Sequence, residues 1–285
     1  PFRNKAIFAF QVVDDSRLYV MCFGMFVHEY GVGCHPQVQG RVYVDCIDSV
    51  PLYGQERGEE RQALLSAIVH AYFDYTRAMG FRFLHMRVPP PTDEYNYIFE
   101  SRSLVVRLRA SLHLAHWYSR LLLKAREQNI IYNYDGGSTA TSMPNFPLAL
   151  LQPGEIAAEN AFKDVDTRHL DPQTQELVAR VMVQQERCFV VHLQNPNTVA
   201  MLVPDIAPLL PSNVASDRRQ FVGVCVAHRL RFASLQQAKF STIVLVQRML
   251  AHQSKAHSKF DQEGGLPGGG FYPRESYGYR GMPPP

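Results

Sequence analysis

Over the first fifty residues, apolar positions fall in short blocks rich in β-branched and aromatic side chains. "KAIFAFQVV" (5–13), "LYVMCFGMFVHEY" (18–30) and "RVYVDCIDSV" (41–50) are separated by Asp14, Asp15, Ser16 and the turn-forming stretch from Gly31 to Gly40. This pattern predicts three neighbouring antiparallel strands. The period then lengthens. In "RQALLSAIVHAYFDYTRAMG", Leu64, Ile68, Ala71, Tyr72 and Tyr75 recur at helical spacing, and Gly80 stands where a C-terminal cap belongs. "FRFLHMRV" returns to strand and stops at Pro89, Pro90 and Pro91, which have no N–H to give a ladder. Strand, helix, strand implies an α/β (α+β) fold, a central mixed sheet surrounded by helices, in preference to an all-β one.

From Thr92 to about Ala110 no period holds, and a long irregular stretch inside a regular domain reads as an ordered functional loop. It carries Tyr97, Ile98 and Phe99, then Arg102, Arg107 and Arg109 among apolar residues. By composition it fits a surface loop as well as a grip on a phosphate-bearing ligand with an apolar arm. A helix follows in "SLHLAHWYSRLLLKA" (111–125), with Trp117, the single tryptophan, beside Tyr118. Residues 133 to 172 mix glycine, proline and polar residues and predict little regular structure. Beyond them come a helix "TQELVARVMVQQ", a strand "RCFVVHL", the proline-spaced "VPDIAPLLPSN", and a helix from Ser234, where Ser234 and Gln237 have capping-box spacing. The Gly, Pro, Tyr and Arg-rich end reads as a disordered tail. The expected division is a domain over 1–257 and a tail over 258–285.

Composition narrows the chemistry. A formal charge of +3 from 29 basic and 26 acidic residues is too small for wholesale nucleic-acid or membrane binding. Five cysteines without CxxC spacing indicate neither a disulfide framework nor a zinc site and read as free thiols of a reducing compartment. No apolar run is long enough for a membrane span. Walker, GxGxxG, HExxH and nucleophile-elbow patterns are all missing, so any chemistry rests on scattered residues. His113 and His116 have i, i+3 spacing, but without a clustered third donor they read as a polar face. Asp93 and Glu94, beside the prolines, read as loop solvation. Tyr118 by itself reads as a core aromatic.

In sequence order, "KAIFAF", "FGMFVHEYG", "RVYVDCIDSV", "HMRVPPPTDEYNYIF", "WYSRLLLKA", "ERCFVVHL" and "RLRFASLQQAKFSTIVLVQRML" resemble the catalytic domain of the CREB-binding-protein (CBP) type lysine acetyltransferases, from about Phe2 to His257. The resemblance implies acetyl-coenzyme A as co-substrate, held under a long covering loop, and no metal. It places Ile47, Asp48 and Ser49 against the cofactor arm and Arg61 on its phosphates, with Gln62 beside it. Tyr97 and Leu108 fall on the covering loop. His113 stands where an arginine helps hold the cofactor, Trp117 packs against it, and Tyr118 is the catalytic tyrosine. A lysine amine would attack the thioester, and the departing thiolate takes up a proton. A tyrosine, with reference pKa ~10, has little driving force to give one to a thiolate of ~8.5, so holding it in contact is the main contribution.

The chain departs from that family at several places. Arg87 replaces a tryptophan of the lysine tunnel, and "RSLVVRLRA" replaces a proline- and lysine-rich part of the loop. Pro147, Ser216 and Arg219 stand where acids attract basic peptides, leaving Asp217 as the nearby acid, and the short "DVDTRHLDP" takes the place of a long lysine-rich insert. The expectation is a nuclear lysine acetyltransferase acting on histones or other lysine-bearing proteins in transcription regulation, with transcription factors as possible partners and no membrane or direct nucleic-acid binding. The alternative is a catalytically weak scaffold that binds acyl-coenzyme A or proteins.

Overall fold

The computed structural model describes residues 2–13, 18–50, 58–88, 98–99, 103–139, 168, 170–184, 187–207 and 214–263. Six strands form one mixed sheet in the order β1-β2-β3-β4-β6-β5. The hairpin-like series β1 (Arg3–Val13), β2 (Leu18–Tyr30) and β3 (Arg41–Ser49) is antiparallel. Helix α1 (Gly58–Ala78) crosses over to β4 (Phe83–Arg87), which runs parallel to β3. On the far side, β6 (Arg187–His192) pairs antiparallel with both β4 and β5 (Asn133–Thr139). Among the described residues, the remaining helices are α2 (Leu104–Glu127), α3 (Pro172–Gln184), α4 (Arg218–Ala227) and α5 (Leu235–Glu263).

The central strands bury successive residues. Val42, Tyr43 and Val44 of β3 and Leu84, His85 and Met86 of β4 are all buried, as strands covered on both faces must be. The one polar member is accommodated by pairing. The His85 Nε2 lies 3.2 Å from the Arg41 guanidinium, and an arginine can only donate, so the imidazole accepts and stays neutral. Burial, with the Arg41 charge next in importance, pushes the His85 pKa down to about 3.

Helices α1 and α2 lie side by side and share the main core. Leu65, Val69 and Phe73 of α1 and Tyr118, Leu121 and Leu122 of α2 belong to one cluster with Leu84, Met86 and Phe189 of the sheet. Buried His70 of α1 donates from Nε2 to the Leu121 carbonyl of α2 at 3.0 Å. At the end of α1, Gly80 takes φ +86°, and a Cβ there would overlap the Met201 carbonyl. Its role as a helix stop is therefore doubled by the close approach of a second segment. That segment is also tied to β1 by ion pairs of Asp205 with Lys5 (3.0 Å) and Arg3 (3.4 Å).

Three differences from the expected elements are instructive. Residues 104–110, expected in a loop, form the first two turns of α2, and the long covering loop is to that extent a helix. The cause lies in the sequence: Leu104, Leu108 and Leu112 repeat every four residues and pack with Leu177, Val178 and Val181 of α3 in a cluster separate from the main core. β5 and α4 were not expected; "NYDGGST" has little strand propensity and owes its state to pairing with β6 across a register shift between Asp135 and Ser138. Helix α5 runs to Glu263, past His257. Its expected start holds, with Ser234 Oγ accepting from the Gln237 N–H at 3.3 Å. Pro89 to Pro91, Asp93, Glu94, Tyr97, Arg102, Pro147, most of "DVDTRHLDP" and the tail from Gly264 lie outside the described residues. All five cysteines are buried, and none is in a disulfide.

Candidate functional site

The end of β3, the first half of α1 and the middle of α2 enclose a cleft of roughly 330 Å³. The crossover topology sets its place. It sits where β3 leaves the sheet and α1 begins, beside the parallel β3/β4 pair, a position where α/β folds commonly hold ligands. Ile47, Asp48 and Ser49 supply the strand wall, Arg61, Gln62 and Leu65 the α1 wall, and Arg107, His113, His116, Trp117 and Arg120 the α2 wall.

The β3 end is fixed by Asp48. Its Oδ2 accepts from the backbone N–H groups of Ile98 and Phe99, each at 3.0 Å, and its Oδ1 from Ser49 N at 2.8 Å. Three donors on one carboxylate hold the "IF" pair of the intervening segment against β3, so Asp48 is an anchor as much as a wall. Ile98 and Phe99 are buried, and Phe99 packs edge-on against Phe232 at 4.8 Å. Next to it, the Arg61 guanidinium donates to Ser49 Oγ at 2.5 Å and is thereby aimed into the cleft. Its charge is felt by the neighbouring Cys22 thiol, which burial nevertheless pushes up to about 11.

Chemically the cleft is divided. Phe23, Ile47, Leu65, Leu114 and Trp117 give it an apolar floor. Arg61, Arg107 and Arg120, with His113 and His116, face it from the two helices, while Asp48, its carboxylate occupied by backbone donors, is its acid. An elongated ligand carrying an apolar arm and phosphate groups fits that division, because guanidinium forks match phosphate oxygens and the apolar wall excludes water.

The structure brings Ile47, Asp48, Ser49, Arg61, Gln62, His113 and Trp117 to one cleft, as residues far apart in sequence. Leu108 is not there. It is fully buried against Val178 and Val181 of α3, because helix formation turns its face away from the cleft, and its place on a covering loop is corrected accordingly. Tyr118 does not line the cleft either; it is 1% exposed, with its ring edge-on to Phe189 of β6 at 5.8 Å and 5.5 Å from the Trp117 ring. Arg87, the last residue of β4, pairs in register with Cys188 and is likewise off the cleft wall. Asp217 caps α4, accepting from Gln220 N at 2.8 Å, so its charge is engaged with a helix end.

Arg120 was missed by sequence reasoning, and so was the arrangement of Arg107 and His116. The signal was present as spacing: 107, 110, 114 and 117, and again 113, 116 and 120, advance by three and four along one helix. Among the described residues, no group of three or more His, Cys, Asp or Glu is placed to hold a metal, and no helix is long and apolar enough to cross a membrane.

Residues 1–141 match the family model of the histone acetyltransferase domain KAT3. The matched stretch contains every residue that lines the cleft. Protein cbp-1 of Caenorhabditis elegans is 30% identical over 155 residues, covering 51% of this chain and 8% of that protein. Histone acetyltransferase HAC4 of Arabidopsis thaliana is 31% identical over 136 residues, covering 46% and 9%. The probable histone acetyltransferase HAC-like 3 of Oryza sativa subsp. japonica is 29% identical over 185 residues, covering 59% and 14%. The aligned parts thus span about a tenth of the length of these relatives. The likeness to the KAT3 histone acetyltransferase domain family is thus carried by residues 1–141 of the chain.

Proposed function

We propose that the protein is a lysine acetyltransferase that takes acetyl-coenzyme A in the α1/α2 cleft and transfers the acetyl group to a lysine amine of histones or other proteins. The observation that carries this reading is the convergence of Ile47, Asp48, Ser49, Arg61 and Trp117 on one cleft with an apolar floor and a cationic rim. Arg61, Arg107 and Arg120 neutralise the phosphates of the co-substrate. Trp117 packs along its arm, and Asp48 keeps the β3 end and the Ile98–Phe99 pair in register with it. In the reaction, the neutral lysine nitrogen bonds to the thioester carbonyl carbon, the C–S bond breaks, the nitrogen gives up one proton to solvent as the amide forms, and the thiolate takes a proton. Tyr118 is assigned that donation, as the phenol set next to Trp117 on the same helix. The setting is nuclear, in chromatin and transcription regulation.

A second reading follows from the burial of Tyr118 against Phe189 and its absence from the cleft wall. In it, the domain binds acyl-coenzyme A or partner proteins and turns over weakly, as a scaffold.

Labelled acetyl-coenzyme A and mixed histones separate the two. The enzyme reading expects transfer by the unmodified chain and a loss of about a hundredfold or more in Tyr118→Phe, the scale of general-acid contributions. No transfer above background, together with a rise in melting temperature on adding coenzyme A, establishes the scaffold. Transfer that is undiminished in Tyr118→Phe removes the role given to that tyrosine.

A further inference from the structure

Charge is unevenly spread along the chain. From Arg218 to Phe260 there are eight lysines and arginines and no aspartate or glutamate, so the formal +3 of the whole chain is a strongly basic stretch set against a net acidic remainder. That stretch comprises α4, the turn after it and nearly all of α5. Within it, the side of α5 that packs on the domain is built largely from small and hydroxyl residues: Ala238, Ser241, Thr242 and Leu245 are buried. Both hydroxyls are engaged with backbone groups. Ser241 Oγ accepts from the Arg231 N–H at 3.0 Å and donates to the Arg231 carbonyl at 2.8 Å, and Thr242 Oγ1 accepts from the Met21 N–H of β2 at 3.0 Å. These bonds fix which face of the helix is turned inward.

The opposite face is turned outward and carries Phe240, Ile243 and Leu250, exposed to 61%, 45% and 57%. With exposed Gln236 and Gln247 these positions advance by four, three, four and three residues, the spacing of a helix–helix seam. Single exposed apolar residues need no explanation, but an aligned row of large ones does when the other face of the helix already has its core. From Gln236 to Leu250 the row is about 21 Å long at 1.5 Å per residue. Lys239 borders it on one side, and Arg248 lies on the other, the side of Ser241 and the Arg231 backbone. A nucleic-acid backbone would use the cations and leave the apolar row wet. A second copy would set one acid-free basic face against another. A helix with apolar residues at matching spacing and acids on its flanks uses both features.

We propose that the outward face of α5 docks an amphipathic acidic helix of a partner protein, with Phe240, Ile243 and Leu250 packing on its apolar stripe and Lys239 and Arg248 facing its flanking carboxylates. No residue of α5 lines the α1/α2 cleft, so this surface is independent of the co-substrate reading and either can fail alone.

The test measures fluorescence anisotropy of labelled synthetic peptides of roughly fifteen residues, the length of the row, with the full chain. One peptide has leucines at three- and four-residue spacing flanked by glutamates, a second has lysines in place of the glutamates, and a third is a scrambled form of the first. The first should bind at least about tenfold more tightly than the others. Ile243→Asp, and independently Leu250→Asp, should weaken it about tenfold or more, the scale of a central contact. The double variant Lys239→Glu, Arg248→Glu should abolish or reverse the preference for the glutamate peptide over the lysine one. Val199→Asp, at an apolar residue 95% exposed on another segment, should change nothing. Equal melting temperatures check that the variants fold. Equal binding of the three peptides, or binding that survives both aspartate variants, overturns the proposal. So does self-association that Ile243→Asp abolishes in sedimentation, or binding to anionic vesicles or duplex DNA in place of the glutamate peptide, since these give the surface to a second copy, a membrane or a nucleic acid.

Discussion

The two halves of α2 answer to different cores. From Ala115 onward, Tyr118, Leu121, Leu122 and Ala125 belong to the main cluster with the sheet and α1. Before it, Leu104, Leu108 and Leu112 pack with α3 in a small cluster of their own. The early half has little intrinsic help. No acid stands in its first turn, and Ser103 at its N-cap makes no side-chain capping bond, so its helicity depends on the α3 contact. The later half ends with Lys124 and Arg126 in its last turn, where the helix dipole favours cations. The difference teaches how a binding wall can be rebuilt. Where the resemblance implies a covering loop, this chain continues the Trp117 helix towards its N-terminus, and α3 holds that extension in place.

Breaking each half separately tests the distinction. Leu122→Ala, in the fully buried main core, should cost about 3 to 4 kcal/mol and lower the melting temperature of the whole domain. Leu108→Ala should cost about 2 to 3 kcal/mol, but as a local loss. Hydrogen exchange should quicken over 104–112 and 172–181 while the central strands keep their protection. Equal loss of protection everywhere would show the two clusters to be one cooperative unit. Asp48→Asn should cost roughly 1 to 2 kcal/mol, because an amide cannot accept at both oxygens, and should free the Ile98 and Phe99 amides to exchange.

A separate effect is one of pH, in the central strands of the sheet. His85 titrates near 3 in the folded protein against 6.5 in the unfolded chain. The unfolded state therefore binds a proton first as pH falls, and stability from this group is full above about 6.5 and declines below it towards 3. The slope is at most about 1.4 kcal/mol per pH unit. His85→Gln, which keeps an acceptor for Arg41, should flatten the dependence of melting temperature on pH between 6 and 4; an unchanged slope would remove His85 as its source.

How far the sequence showed this arrangement depended on where each element finds its support. β1 to β4 and α1 carry their own periodicity, because each buries a face built from its own alternating or 3.6-spaced residues, and they were legible. β5 was not, since Gly136 and Gly137 offer no strand propensity and the state is imposed by β6. The first turns of α2 were hidden for a related reason. Arg107 and Arg109 interrupt the apolar run, and the partner that makes Leu104, Leu108 and Leu112 a face lies some seventy residues on, in α3. Within the cleft, Ile47, Asp48, Ser49, Arg61, Gln62, His113 and Trp117 followed from the resemblance. Arg120 did not, although 113, 116 and 120 share one face of the helix expected over 111–125.

The central claim, that the α1/α2 cleft receives acetyl-coenzyme A, is tested most directly by hydrogen–deuterium exchange on the full chain with and without acetyl-coenzyme A. Protection is predicted to increase over 47–49, 61–66 and 107–124, with β5 and α5 unchanged. Exchange that stays the same over those three stretches, or protection confined to another part of the molecule, would contradict it.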